Sequence, residues 1–171
     1  MSDGLPKTID ARRLADTGRH LQGEISLDSL PRLYQLVHAQ ENCLFPLSLE
    51  FSRQQGGRRI IRGHISGRVF MDCQRCLEPV EIKLDCDISL GIVADEEEAE
   101  LLPDELDPLI AGEESQLYEL LEDELLLALP IVPTHEQCDS PLLVDTGQQA
   151  KLELPERENP FAVLAGLKKE K

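Results

Sequence analysis

Val80-Glu81-Ile82-Lys83-Leu84-Asp85-Cys86-Asp87-Ile88-Ser89-Leu90-Gly91-Ile92 is the stretch that decides the fold. Every even position is apolar, and the odd positions carry Glu81, Lys83, Asp85, Asp87 and Ser89. A period of two over this length specifies a strand with one dry and one wet face. The same alternation runs upstream. From Arg59 to Met71 the odd positions include Ile61, Ile65, Val69 and Met71, and the even ones include Arg62, His64, Ser66, Arg68 and Phe70. From Cys43 to Phe51 the odd positions are Cys43, Phe45, Leu47, Leu49 and Phe51. Gln54-Gln55-Gly56-Gly57 reads as a turn, and a second short connection spans Cys73 to Cys76. Three alternating runs with short connections predict an antiparallel meander, wet on one side. Cys43 and Cys86 lie on apolar faces and are expected in the core.

Working outward, Ile9 to Leu14 predicts a short helix stopped near Gly18, and His20 to Ser26 a strand. Asp28 or Ser29 is positioned to cap a second short helix opening near Pro31. Residues 94–113 are acidic, carry Pro103, Pro108 and Gly112, and predict a long loop with one helical turn at Glu96 to Leu101. Ser115 is placed to cap a helix reaching about Leu129, with Leu117, Leu120, Leu121, Leu125 and Ala128 on one face and Glu119, Glu122 and Asp123 on the other. Pro130 and Pro133 end it. The expected fold class is α+β: an antiparallel, strongly bent meander sheet with one main packed helix and short flanking helices. Residues 1–140 form the domain, 141–158 a linker, and 159–171 a C-terminal motif.

The charge is unevenly spread. From Leu84 to Ala150 there is no Lys or Arg, and the stretch holds 19 Asp and Glu. The whole chain carries −16, so everything outside the stretch sums to +3. Such a field repels phosphate backbones and attracts cations, and a pI near 4.5 does not suit a general nucleic-acid binder. No apolar run approaches the roughly 20 residues of a membrane span. Residues 1–7 lack the apolar segment of a signal peptide, and five cysteines make an odd count. The expectation is a cytoplasmic protein, without membrane association, whose thiols are reduced.

Cys73 and Cys76, two residues apart at a turn between strands, are half of a tetrahedral zinc site. His135 and Cys138 offer a second half, giving a Cys₃His set for a structural zinc. The competing reading is two unligated thiols and a loop histidine. The irregular second pair favours that alternative. Arg62, Arg68 and Arg75 are candidates for RNA contact, Arg62 and Arg68 sharing their strand face with Phe70. Against this, arginines in a chain with 33 acids are expected to pair with its own carboxylates. No nucleophile elbow, zinc-protease helix or phosphate-binding loop occurs, so no catalytic residue is assigned. Glu119, Glu122 and Asp123 are candidate contacts for a basic partner. So are Asn159, Pro160 and Phe161, which open an apolar segment ending in lysines. That segment fits either its own domain or a partner's groove.

Four stretches then fall into a known order: Cys73-Gln74-Arg75-Cys76-Leu77; Leu102 to Pro108; Leu121 to Pro133 with His135 and Cys138; and Asn159 to Lys168. From about residue 8 to the C-terminus the chain resembles the YceD family, the large ribosomal RNA subunit accumulation proteins of bacteria and plastids. The resemblance implies a non-enzymatic role in accumulation or processing of 23S rRNA during large (50S) ribosomal subunit biogenesis. It also implies a link to ribosomal protein L32, beside whose gene such proteins are typically encoded. Some relatives carry further cysteines after the helix, in the manner of a zinc ribbon; here Cys138 is followed by Asp139, a departure that weakens the case for zinc. Three readings follow. The first is a binding factor for a basic ribosomal protein, the second a direct RNA-binding module, and the last a metal-dependent RNA-processing enzyme.

Overall fold

The computed structural model describes residues 5–38, 42–54, 56–112 and 114–138. The chain divides into two units, Met1–Cys138 and Asp139–Lys171, and the described residues all lie in the first. The expected linker and the C-terminal motif, with Asn159, Pro160 and Phe161, fall outside them.

The element order is β1 (Thr8–Ile9), α1 (Ala11–Asp16), β2 (His20–Ser26), a 3₁₀ turn (Leu27–Ser29), α2 (Pro31–Leu36), β3 (Leu44–Arg53), β4 (Arg59–Asp72), β5 (Pro79–Val93), α3 (Glu96–Ala99), β6 (Asp107–Ile110), β7 (Ser115–Gln116) and α4 (Leu117–Leu127). The main sheet has the order β2-β3-β4-β5-β6. The pairs β2–β3, β3–β4 and β4–β5 are antiparallel, with Leu47 opposite Ile65 and Ile65 opposite Cys86. β6 departs from the meander. It runs parallel to β5, placing Leu90 beside Asp107 and Val93 beside Ile110. Mixed sheets of this kind commonly carry their odd strand at an edge.

The alternation predicted for β3, β4 and β5 is the observed burial. Phe45, Leu47, Leu49 and Phe51, then Ile61, Ile65 and Val69, then Leu84, Cys86, Ile88, Leu90 and Ile92 enter one core. Ala11 and Ala15 of α1, Leu33 of α2, and Leu117, Leu121 and Leu125 of α4 complete it. Cys43 is the exception. It lies half-buried at the rim of the core, its thiol donating to the Arg68 carbonyl at 3.2 Å, because Leu44 beside it turns outward where β3 begins.

Two helix ends are built differently from expectation. Neither Asp28 nor Ser29 caps α2, whose preceding residue Leu30 provides no side-chain acceptor. The Glu122 carboxylate of α4 accepts the amides of Arg32 (2.7 Å) and Leu33 (3.0 Å) instead. Ser115 does not cap α4 either. It pairs with Ile9 in a two-stranded ribbon, β1 with β7, and Leu117 donates its amide to the Lys7 carbonyl at 2.9 Å.

Gly67 is required where β3 meets β4. A Cβ there would overlap the ring of fully buried Phe45. Gly67→Val should therefore cost about 2–3 kcal/mol by overpacking, read from the urea midpoint of the full chain.

Candidate metal centre and charged faces

The connection between β4 and β5 is a tight knuckle. The Leu77 amide donates to the Cys73 carbonyl and the Cys73 amide to the Glu78 carbonyl, both at 2.9 Å. Closing it puts Leu77 at φ +62° with its side chain 72% exposed. This folds the Cys73 and Cys76 thiols toward each other. The segment after α4 comes alongside, because the Gln74 amide donates to the Pro133 carbonyl at 2.8 Å and the Arg75 guanidinium donates to the His135 carbonyl.

The four side chains singled out from the sequence then meet. One ligand atom each from Cys73, Cys76, His135 and Cys138 lies within 4.8 Å of every other. Cys73 Sγ is 3.9 Å from Cys138 Sγ, and Cys76 Sγ is 3.4 Å from His135 Nδ1. Zinc bonds of about 2.3 Å to sulfur and 2.0–2.1 Å to nitrogen imply tetrahedron edges of about 3.8 Å and 3.6 Å. The cluster therefore has the size of a zinc coordination sphere. Its orientation fits as well. His135 Nε2 lies 3.2 Å from the Pro79 carbonyl, so the proton sits there and the Nδ1 lone pair faces the thiols. Four protein donors leave no position for water, the arrangement of a structural rather than a catalytic ion.

The protonation pattern agrees. Burial by itself pushes the Cys73 thiol up, but the backbone amides of Cys76, Arg75 and His135 and the His135 side chain outweigh it and bring Cys73 down to about 5. Cys138 moves the other way, through burial and through its hydrogen bonds to Cys73 and Cys76. Two thiols this close do not both ionise without a cation between them. Cys86, on the core face of β5, is pushed up by burial and is inert packing. The carbonyls of Pro79 and Pro133 leave no mark in the sequence, because they act through the backbone. Leu77→Gly relieves the left-handed backbone at the knuckle. We expect a gain of about 0.5 kcal/mol in denaturation with metal content unchanged, the larger relief being partly offset by a freer unfolded chain.

The basic candidates are dispersed. Arg62 and Arg68 are exposed on one face of β4, six residues and hence about 20 Å apart. Arg62 stands opposite Glu50, and Arg68 reaches Glu81 at 3.8 Å. Arg75 belongs to the metal cluster through its bond to His135. Elsewhere Arg59 grips Asp16 with two bonds, at 2.8 and 3.0 Å. On the wet face of the sheet, His64 of β4 bridges Asp85 and Asp87 of β5 at 3.0 and 3.1 Å.

The acidic candidates on α4 separate. Glu119 is exposed, and Asp123 is exposed but bonded to Arg32 at 2.6 Å. Glu122 is not on a solvated face: it is 2% exposed, and its carboxylate is spent on two amides and on Arg32 Nε at 2.8 Å. Packing of α2 against α4 covers that side of the helix.

A profile for the family described as "Large ribosomal RNA subunit accumulation protein YceD" matches residues 61–168. A Haemophilus influenzae protein of that same name is 33% identical over 169 residues, 96% of this chain and 96% of its own. The chain belongs to the YceD family. No solved structure matches it. The YceD profile begins within β4 and takes in the knuckle, α4 and both halves of the Cys₃His cluster. The motifs quoted from the sequence after residue 61 therefore lie within the matched region. No helix among the described residues is long and apolar enough to cross a membrane.

Proposed function

We propose that the chain is a non-enzymatic, cytoplasmic factor that supports accumulation or processing of 23S rRNA during assembly of the large ribosomal subunit, and that it acts by binding a basic ribosomal protein. YceD membership carries the reading. The charge supports the mode of action: the base-free stretch supplies Asp85 and Asp87 of β5, the acids of α3 and the exposed acids of α4, a surface that attracts cations and repels RNA. Ribosomal protein L32, to which the family resemblance points, is a basic partner of the required kind. The Cys₃His cluster takes a structural zinc that staples the segment after α4 to the β4–β5 knuckle, and its closed ligand set supports a role in folding rather than catalysis.

The test is retention of ribosomal proteins by the immobilised full chain at low and high salt. Salt-sensitive capture of L32 or another basic large-subunit protein is the expected outcome, and capture of none at low salt would sink the reading. A second reading has one observation behind it: Arg62 and Arg68 are exposed on one face of β4. Charge reversal of both should leave affinity for 23S fragments unchanged if the protein reading holds. A loss of affinity would move the function to RNA.

A further inference from the structure

A groove of about 480 Å³ lies between β6, the segment after it and α4. Its apolar part is formed by Leu109 and Ile110 of β6 and Leu120 and Leu127 of α4. Ile110 is 52% and Leu127 82% exposed, so both present aliphatic surface to the groove. Five of the residues lining the groove are acidic and none is basic. Among the described residues only the Asp123 carboxylate of those five has an ion-pair partner, Arg32, which also donates to the Glu119 backbone carbonyl at 3.3 Å. Asp107, Glu114, Glu119 and Glu124 make no ion pair there. Burial, and then the charges of Asp107 and Asp123, push the Glu124 carboxyl up, so these carboxylates crowd one another.

Charge selects the occupant. A second copy of a −16 chain and a nucleic acid are both repelled, whereas a cation relieves the crowding. The strand itself limits how the occupant is held. β6 is an edge strand, but Pro108 removes a backbone donor and Asp107 adds charge, which are the devices that blunt edges against strand addition. Recognition therefore runs through side chains. We propose that this groove seats a short cationic segment of a protein, with one apolar side chain on Ile110, Leu120 and Leu127 and lysines or arginines against Asp107, Glu114, Glu119 and Glu124. The inference deepens the protein-binding reading above and rests on it.

The experiment uses the full chain and fluorescence anisotropy of three labelled nonamers: lysines around a central leucine, the same peptide with serine at the centre, and a single-stranded RNA. Wild type should bind the leucine peptide about tenfold more tightly than the serine peptide. Ile110→Ser with Leu127→Ser should erase that difference. Asp107→Asn with Glu114→Gln and Glu119→Gln should weaken both peptides about tenfold at low salt and flatten the salt dependence. Glu24→Gln with Glu50→Gln, at exposed positions of β2 and β3 outside the base-free stretch, should change nothing. Sedimentation of each variant serves as a fold and self-association control. If the groove variants bind like wild type while wild type discriminates, the groove is the wrong seat and the protein-binding reading stands. If wild type binds neither peptide, or prefers RNA, both fall. Self-association lost on Leu127→Ser would assign the groove to a second copy and overturn the proposal.

Discussion

Cys73→Ser should lower the metal content of the purified chain from about one zinc to near none and remove about 4 kcal/mol of stability in zinc-replete buffer. The magnitude is that of a ligand held about a thousandfold above its dissociation constant and bound by the folded state alone. Elemental analysis by mass spectrometry reads the first effect and urea unfolding with and without chelator the second. The loss should be local in the native state. Hydrogen exchange should accelerate at the amide of Gln74, whose acceptor is Pro133, and at those of Cys73 and Leu77, and remain slow in the centre of β4. Cys86→Ser is the control, because that thiol packs in the core and is no ligand: it should keep its zinc. A wild-type chain purified without any metal, and indifferent to chelator, would return the cluster to plain thiol packing.

Glu122→Ala should cost about 3 kcal/mol, the second large effect. The carboxylate is 2% exposed and accepts the Arg32 and Leu33 amides that open α2. Deleting it leaves those two amides without their acceptors and creates a cavity. Half-exposed Arg32 adds little, since water screens its charge. Glu122→Gln should lose less, because its carbonyl oxygen still accepts one amide. The pH dependence has a definite sign. Burial by itself would raise this carboxyl, but the Leu33 amide, Arg32 and the Arg32 amide hold it below its ordinary 4.5. A group depressed on folding contributes stability above 4.5 and loses it as pH falls through its lower folded value. Stability of wild type should therefore decline below pH 4.5 more steeply than that of Glu122→Gln, as judged by urea midpoints across that range. Parallel curves would remove Glu122 from the account.

The contrast between these residues shows what a sequence carries. The core face was legible in Ile82, Leu84, Cys86 and Ile88, because a strand's period of two needs no knowledge of partners. Cys73 and Cys76 were legible because their spacing alone defines a knuckle. His135 and Cys138 were nameable but irregular, and what joins them to the first pair is a backbone bond from Gln74 to Pro133, which no side chain announces. Glu122 falls on the polar face of α4 when that helix is taken by itself; its partner Arg32 lies 90 residues away. β6 has the composition of a loop, since Asp107 and Pro108 are poor strand formers, and only the neighbouring β5 makes a strand of them. Ser115 has the residue type of a cap and serves as a ribbon partner of Ile9 instead.

That ribbon sets a timetable. Thr8 and Ile9 are made more than 100 residues before their strand partners, Gln116 and Ser115. Leu5 likewise waits for the Tyr118 hydroxyl, 113 residues later. The meander from β2 to β5 is assembled from neighbouring strands and is complete well before then. Pairing of β1 with β7 therefore has to await the residues that lead into α4, whereas Leu5 has Gly23 of β2 to pack on from early in synthesis. Loss of the first nine residues would leave the meander its strands and take from α4 the clasp that orients its first turn.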